Sequence, residues 1–228
     1  MLSTHDLRVS YGMSEVIHGI SFDIGEMETV AIMGRNGMGK TTLFKSLVGI
    51  LKAEGIVTLG GEAVVDRKPY ERVARGLAYV PQGRLVFGTL TVEENIATGL
   101  EATGARVIPG DIYDLFPVLL DMRRRKAGNL SGGQQQQLAI ARALASNPRI
   151  LLLDEPTEGI QPSIIKQLAR TLNDIKQIRK ISILVSEQVL SFATEVADRM
   201  LVMDKGRIVH EAAGEAIDAQ QISRYLIV

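Results

Sequence analysis

The sequence predicts an α/β fold built on a mixed, mainly parallel sheet, and two observations carry that prediction. Four short, continuous apolar runs lie at residues 29–33, 77–80, 150–153 and 182–185. Runs of this kind are typical of strands that are buried on both faces, as in a parallel sheet. Segments with helical periodicity lie between the runs, and this alternation of strand and helix favours the α/β class.

Three helices are predicted between these strands, at residues 40–49, 133–146 and 163–179. The first ends at Gly49, because glycine readily adopts the left-handed conformation that closes a helix. The second ends before Asn147-Pro148, which is a stop signal. The third is long and amphipathic, so one face of it is expected to cover the sheet.

The start of the chain predicts an N-terminal antiparallel β-subdomain. Apolar side chains alternate with other residues in two stretches, which contain Leu7, Val9 and Tyr11, and then Ile20, Phe22 and Ile24. Alternation with a period of two is typical of half-exposed strands. Near the other end of the chain, residues 200–203 and 207–210 flank a glycine turn and predict a hairpin.

Residues 83–129 have a different character from the rest of the chain. They contain helical patches at 93–100 and 112–122 and a basic run at 123–126, without clear strands. We therefore predict a helical insertion subdomain at 83–129. The whole chain, 1–228, is then one domain whose core is formed by residues 1–82 and 130–228.

Composition excludes several classes of function. The 228 residues include no cysteine, which rules out disulfides, a thiolate nucleophile and a zinc site with sulfur ligands. The 26 basic and 26 acidic residues give zero net charge, which argues against a nucleic-acid-binding protein. No apolar run approaches the ~18 residues of a membrane span, and the polar N-terminus does not resemble a secretion signal.

A phosphate-binding pattern, G-x-x-x-x-G-K-[ST], is matched by Gly34-Arg35-Asn36-Gly37-Met38-Gly39-Lys40-Thr41. Its glycines let backbone N–H groups approach phosphate oxygens, and the N-terminus of the following helix adds positive potential. Lys40 offers a charge to the β- and γ-phosphates, and the Thr41 hydroxyl can ligate Mg²⁺. The core is therefore predicted to be a P-loop NTPase.

Two carboxylates, Asp154 and Glu155, follow the apolar run at 150–153. Ligands of α/β sheets bind at the carboxyl ends of the strands. Asp154 suits the shell of Mg²⁺, and Glu155 suits a base that polarises the attacking water. Taken alone, the pair is equally compatible with two solvated side chains at the end of a strand, and the phosphate loop favours the functional interpretation.

A third motif, Leu130-Ser131-Gly132-Gly133-Gln134, precedes the helix predicted at 133–146. Ser131 can cap that helix, and the two glycines leave backbone N–H groups uncovered, as in an anion site. Spacing alone does not distinguish this site from an ordinary capped helix.

In this order, the three motifs resemble those of the ATP-binding-cassette (ABC) ATPases, and the resemblance extends over nearly the whole chain. It implies a nucleotide-binding subunit that works as a head-to-tail pair. Each ATP would lie between Gly34–Thr42 of one subunit and Ser131–Gln134 of the other. The insertion at 83–129 would dock onto integral membrane permease subunits.

The resemblance also implies roles for residues outside the three motifs. Tyr11 matches an aromatic residue that stacks on adenine, and Val16 is its apolar neighbour. Gln82 matches a glutamine that reaches Mg²⁺ and the attacking water. The implied catalytic residues are therefore Glu155, Gln82, Gln188 and Lys40, with Thr41, Gln82 and Asp154 around the metal.

Two positions depart from the family pattern. The family usually places a histidine on the γ-phosphate where this chain has Gln188, whose amide donates a hydrogen bond but does not titrate. The family often has an aspartate that crosses the dimer interface soon after Glu155, and residues 158–161, which end in Gln161, contain none.

Glu187-Gln188 resembles the subgroup that serves branched-chain amino acid and related importers, and the longer motifs look most like the second ATPase subunit of urea and short-chain amide importers. The resemblance implies a sister ATPase or a second copy as partner, an indirect link to a solute-binding protein, and a peripheral position on the cytoplasmic face of the inner membrane. Two alternatives are a soluble, non-transport ABC ATPase and a hydrolysis-impaired module that dimerises with ATP.

Overall fold

The structure, a computed structural model, describes residues 1–226 and contains two sheets. The antiparallel sheet has the strand order β2-β1-β4-β5, with bounds β1 (Leu2–Tyr11), β2 (Ser14–Ile24), β4 (Glu54–Leu59) and β5 (Glu62–Ala63). The larger sheet has the order β10-β9-β3-β8-β7-β6, with bounds β3 (Thr29–Met33), β6 (Leu77–Val80), β7 (Ile150–Asp154), β8 (Ser182–Glu187), β9 (Arg199–Asp204) and β10 (Arg207–Ala213).

Helices connect the strands of the larger sheet and cover it. They are α1 (Lys40–Val48), α2 (Pro69–Ala74), α3 (Val92–Ala97), α4 (Gly110–Leu115), α5 (Pro117–Asp121), α6 (Gly132–Ala145), α7 (Pro162–Arg179), α8 (Leu190–Val196) and α9 (Ala219–Leu226). Short 3-10 helices span Thr98–Ala102, Ala127–Asn129 and Gly214–Ala216. Within residues 1–226, no helix is both long enough and apolar enough to span a bilayer.

The predicted fold class is confirmed. All four continuous apolar runs are strands of the larger sheet, in which β3 pairs in parallel with β8 and β9, β7 pairs with β8, and β6 pairs with β7. The antiparallel pairing of β1 with β2 and the β9–β10 hairpin are also as predicted. Since parallel strands end at the same edge, the chain leaves Met33, Asp154 and Glu187 side by side.

Several elements differ from the sequence prediction. The strands β4 and β5 and the helices α2, α8 and α9 were not predicted, because they are short or carry mostly exposed residues without a clear period. The helix expected at 112–122 is two helices, α4 and α5, which meet at Phe116. Phe116 has a φ of −132° and a ψ of 68°, which are not helical, and Pro117 follows it; a proline disfavours the helical conformation in the residue before it.

Two apolar clusters lie on the two faces of the larger sheet. On one face, Val30 and Ile32 of β3 pack with Leu43 and Phe44 of α1 and with residues of the antiparallel sheet. On the other face, Ala31 and Met33 pack with residues of α6, α7 and α8. Helix α1 is therefore held between the two sheets, and so is the loop that leads into it.

A buried arginine closes the C-terminal end of α1. The Arg72 guanidinium donates hydrogen bonds to the carbonyl oxygens of Ser46 (2.8 Å) and Leu47 (2.7 Å), which belong to the last turn of the helix. It also donates to the carbonyls of Val65 (2.7 Å) and Arg67 (3.0 Å). Burial lowers the pKa of Arg72, and the helix dipole favours a cation at this end.

We predict that Arg72→Leu lowers the free energy of unfolding by about 3 kcal/mol, because several buried carbonyl oxygens lose their donor. For a chain of this size the melting temperature should fall by about 6–12 °C. Urea denaturation and thermal melts measure both quantities. Arg106→Leu is the matched control, since Arg106 is exposed, and a loss as large as that of Arg72→Leu would contradict the proposed role of the buried guanidinium.

Candidate functional site

The glycine-rich loop between β3 and α1 has a backbone that larger residues could not adopt. Gly37 has a φ of 80° and Gly39 a φ of 103°, which L side chains rarely adopt. A Cβ atom on Gly34 would lie 2.6 Å from the Met203 carbonyl oxygen. The loop is therefore fixed against the edge of the sheet, where the Gly34 N–H also donates to the Glu187 carbonyl oxygen (3.2 Å).

Lys40 points back into this loop and forms a buried ion pair. Its Nζ atom donates to the carbonyl oxygens of Gly34 (2.7 Å) and Arg35 (3.0 Å). The same nitrogen lies 2.9 Å from Glu155 Oε1, and the two side chains are 3% and 7% exposed. The phosphate loop is thus tied directly to the acidic end of β7.

Glu155 also receives hydrogen bonds from two side-chain amides. Gln82 Nε2 lies 3.3 Å and Gln188 Nε2 lies 3.4 Å from Glu155 Oε2. Glu155 itself has a φ of 47°, which turns its side chain out of the strand direction. The structure therefore brings together, around one carboxylate, the four residues for which sequence reasoning predicted catalysis: Glu155, Gln82, Gln188 and Lys40.

The neighbouring carboxylate, Asp154, has a separate set of donors. The Ser186 hydroxyl donates to Oδ1 (2.6 Å) and the Tyr79 hydroxyl donates to Oδ2 (3.2 Å). Burial raises the pKa of Asp154, while hydrogen bonds from Ser186, Thr41 and Tyr79 oppose the rise. The pKa of Tyr79 is raised by burial and by the Asp154 charge, so its hydroxyl remains a donor.

The donors at this position fit a magnesium ion that is completed by substrate. The Thr41 hydroxyl lies close enough to the Asp154 carboxylate to lower its pKa, and both offer the hard oxygen ligands that Mg²⁺ prefers. Within residues 1–226 there is no cluster of three or more His, Cys, Asp or Glu side chains that could hold a metal alone. Mg²⁺ usually takes only one or two protein carboxylates together with phosphates and water, so this sparse set suits it.

A cleft of about 240 Å³ opens beside the loop. The half-exposed Tyr11 stands at its rim, with its hydroxyl 3.5 Å from Thr42 Oγ1. The residues that line the cleft are Tyr11, Val16, Asn36, Gly37, Gly39, Lys40, Thr41, Thr42, Gln82 and Glu155. The predicted adenine-stacking residues and the phosphate loop thus share one cleft.

The third motif lies outside that cleft, because none of residues 130–134 lines it. Ser131 caps α6, as predicted: its hydroxyl accepts a hydrogen bond from the Gln134 N–H (3.3 Å), and the Gln134 side chain accepts one from the Ser131 N–H (2.9 Å). Gly133 has no room for a larger side chain, since a Cβ atom would lie 2.8 Å from Ile164.

Sequence reasoning missed several residues that shape the site. Ser186 and Tyr79 orient Asp154 from neighbouring strands, and Arg84 donates to the Glu158 carbonyl (2.6 Å) across the loop that follows β7. Glu187 was noted only as part of a subgroup pattern. The position of Ser186 directly after the run at 182–185, level with the carboxylates at the strand ends, was the one available sign for it.

Comparison with known proteins gives consistent results. The model of the ABC transporter family matches residues 17–158. The chain is 37% identical over 221 residues to the high-affinity branched-chain amino acid transport ATP-binding protein BraG of Pseudomonas aeruginosa, across 95% of this chain and 94% of that protein. It is 33% identical over 229 residues to the probable branched-chain amino acid transport ATP-binding protein LivF of Archaeoglobus fulgidus, across 98% and 97%.

Solved structures show the same fold. A nucleotide-free ATP-binding cassette from an ABC transporter superposes with a TM-score of 0.84 at 28% identity, across 99% of this chain and 94% of that one. A dimeric, post-hydrolysis ATP-binding cassette bound to ADP and Pi superposes with a TM-score of 0.83 at 25% identity, across 93% and 98%.

We predict that Lys40→Met destabilises the nucleotide-free protein by about 3 kcal/mol, because it leaves the Glu155 charge buried without its counter-ion. The double variant Lys40→Met/Glu155→Gln should recover at least half of that loss. Glu155→Gln alone should cost less, since Lys40 keeps two carbonyl partners. Urea unfolding curves measure all three, and a double variant less stable than Lys40→Met would contradict the buried pair.

Proposed function

The chain belongs to the ABC transporter family and is an ATP-hydrolysing transporter subunit, and from that premise we propose that it powers an importer for branched-chain amino acids, urea or a short-chain amide. Each ATP would be held between two subunits paired head to tail. The observation that carries this proposal is the separation of the Ser131–Gln134 motif from the cleft that contains Lys40.

In this proposal the cleft supplies half of the ATP site. The adenine would stack on Tyr11 beside Val16. The phosphates would accept hydrogen bonds from N–H groups within residues 34–42 and from Lys40. Ser131 and Gly133 of the second subunit would complete the shell of the γ-phosphate. Because neither half alone surrounds that charge, closure of the pair is coupled to binding of ATP.

The arrangement of polar groups suits hydrolysis by in-line attack of water. Glu155 would accept the proton of the water, and the amides of Gln82 and Gln188, which already bond to Glu155, would orient it. Lys40 would neutralise charge that develops on the γ-phosphate. When bound at Thr41, Gln82 and Asp154, Mg²⁺ would add charge neutralisation to the β- and γ-phosphate oxygens.

An apolar groove gives the permease a place to dock. The groove has a volume of about 860 Å³, and its exposed apolar side chains include Leu85 (66%) and Phe87 (50%). Pro81 lines the groove, and the next residue, Gln82, lines the catalytic cleft, so one peptide bond joins the two sites. We assign it to a short cytoplasmic segment of the permease, which would place this chain at the cytoplasmic face of the membrane.

The cargo proposal rests on the Glu187-Gln188 pattern and on relatives that are named for branched-chain amino acid transport. Purification of the chain with its permease and solute-binding protein, followed by reconstitution in vesicles, tests it. Leucine, urea or acetamide should accelerate ATP hydrolysis when added with the binding protein. Stimulation by none of the three would overturn the cargo, and stimulation with efflux would overturn the direction.

We predict that Glu155→Gln retains ATP binding but hydrolyses ATP at least 100-fold more slowly, since the water loses its base. The uncleaved ATP should hold the two subunits together, so size-exclusion chromatography with ATP should show a dimer. Glu26→Gln is the control, because Glu26 is an exposed turn residue before β3. A Glu155→Gln chain that stays monomeric with ATP would contradict pairing of two copies and leave a sister subunit as partner.

A mixing experiment tests whether the ATP site is shared. Ser131→Arg and Glu155→Gln chains should each be inactive alone, but a mixed dimer contains one site with both Ser131 and Glu155 intact. Random pairing should restore about a quarter of the wild-type rate, since half of the dimers are mixed and one site in each is whole. A rate that stays at the sum of the two single variants would contradict a shared site.

A further inference from the structure

Glu187 is a buried carboxylate at the end of β8 that no proposed step uses. Its side chain is 2% exposed. Oε1 accepts a hydrogen bond from the Thr157 N–H (3.0 Å), and Oε2 accepts from the N–H groups of Gln188 (3.0 Å) and Val189 (3.3 Å). Burial raises the pKa of Glu187, while these donors and the Thr157 hydroxyl oppose the rise.

The two oxygens of this carboxylate hold two different loops. Oε1 faces the loop 156–161, which follows Glu155, and Oε2 faces the turn that carries Gln188. The Glu187 carbonyl oxygen also accepts from the N–H of Gly34 (3.2 Å), the first residue of the phosphate loop. One residue therefore contacts three segments next to Glu155: the loop that follows it, the turn whose Gln188 amide bonds to it, and the start of the phosphate loop.

Only a carboxylate can make this set of contacts. Its two oxygens are both acceptors, whereas an amide offers one acceptor and one donor group. In the Glu187→Gln variant the NH₂ group would face another donor, either the Thr157 N–H or the N–H groups of Gln188 and Val189. The isosteric replacement should therefore release one of the two loops without changing the volume of the buried side chain.

We propose that Glu187 is a positioning residue for ATP hydrolysis, which holds the loop 156–161 and Gln188 in one register so that the Gln188 amide reaches Glu155. The inference rests on the proposed function, which gives Gln188 and Glu155 their roles. Arg84 fixes the same loop from its outer side, through the Glu158 carbonyl.

The test is a double-mutant cycle on the full-length chain, with kcat for ATP hydrolysis and Kd for ATP as readouts. Glu187→Gln should lower kcat about 10-fold or more and leave Kd within about twofold, because the phosphate loop still binds ATP. Glu28→Gln is the matched control. Glu28 also accepts a backbone N–H, that of Gly25 (2.6 Å), but it lies before the opposite end of β3.

The cycle with Gln188 separates positioning from general stability. Once Gln188→Ala has removed the amide, adding Glu187→Gln should change kcat by no more than about twofold, since coupled residues are not additive. A double variant whose loss equals the product of the two single losses would overturn the proposal. So would a Gln188→Ala chain with wild-type kcat, because Glu187 would then have nothing to act through.

A milder variant covers the case in which Glu187→Gln does not fold. Thr157→Val removes only the hydroxyl, which lies close enough to Glu187 to lower its pKa, and its effect on kcat should also vanish in the Gln188→Ala background. If it instead adds to that of Gln188→Ala, the proposal is wrong. Ser131→Arg in the same assay tests the shared site alone. If Ser131→Arg strongly lowers kcat but Glu187 and Gln188 prove to act independently, only the proposed role of Glu187 is rejected.

Discussion

The buried ion pair between Lys40 and Glu155 is the interaction on which the rest of the site depends. Two charges this far from water are stable only because each has further partners: two carbonyl oxygens for Lys40, and the amides of Gln82 and Gln188 for Glu155. A triphosphate that enters the cleft offers Lys40 a stronger anionic partner. Glu155 would then lose its cation while keeping the two amide donors, and its freed oxygen could accept a hydrogen bond from the attacking water.

That exchange requires fixed surroundings, which the layered fold provides. Helix α1 is packed between the antiparallel sheet and the parallel sheet, and Arg72 closes its far end through buried hydrogen bonds. The parallel register of β3, β7 and β8 sets Met33, Asp154 and Glu187 at one edge. The position of Lys40 relative to Glu155 is therefore decided by the backbone of the core rather than by flexible loops.

The sequence predicts this framework well because its strongest patterns are physical requirements of burial. The runs at 29–33, 77–80, 150–153 and 182–185 have no polar face, so only the interior of a sheet suits them. The strands β4 and β5 and the helices α2 and α8 could not be predicted, since their short segments mix buried and exposed residues. The roles of Ser186, Tyr79 and Arg72 were equally hidden, because each depends on which distant carbonyl or carboxylate the fold brings within reach.

The core and insertion boundaries at residues 83 and 129, and the catalytic roles, stay predictions.

The geometry of Ser131 is compatible with both a helix cap and the proposed role in a shared ATP site. Its hydroxyl accepts a hydrogen bond from the Gln134 N–H, and the Gln134 side-chain oxygen accepts one from the Ser131 N–H. A serine hydroxyl has one donor besides its acceptor lone pairs, so the cap uses an acceptor and leaves the O–H to point at an anion. The same contacts that stabilise α6 therefore orient the Ser131 O–H. A helix cap and a donor to the proposed phosphate site are thus compatible in one arrangement. In the proposed pair the anion would lie in the cleft of the second subunit, because the cleft of this chain is lined by segments other than residues 130–134.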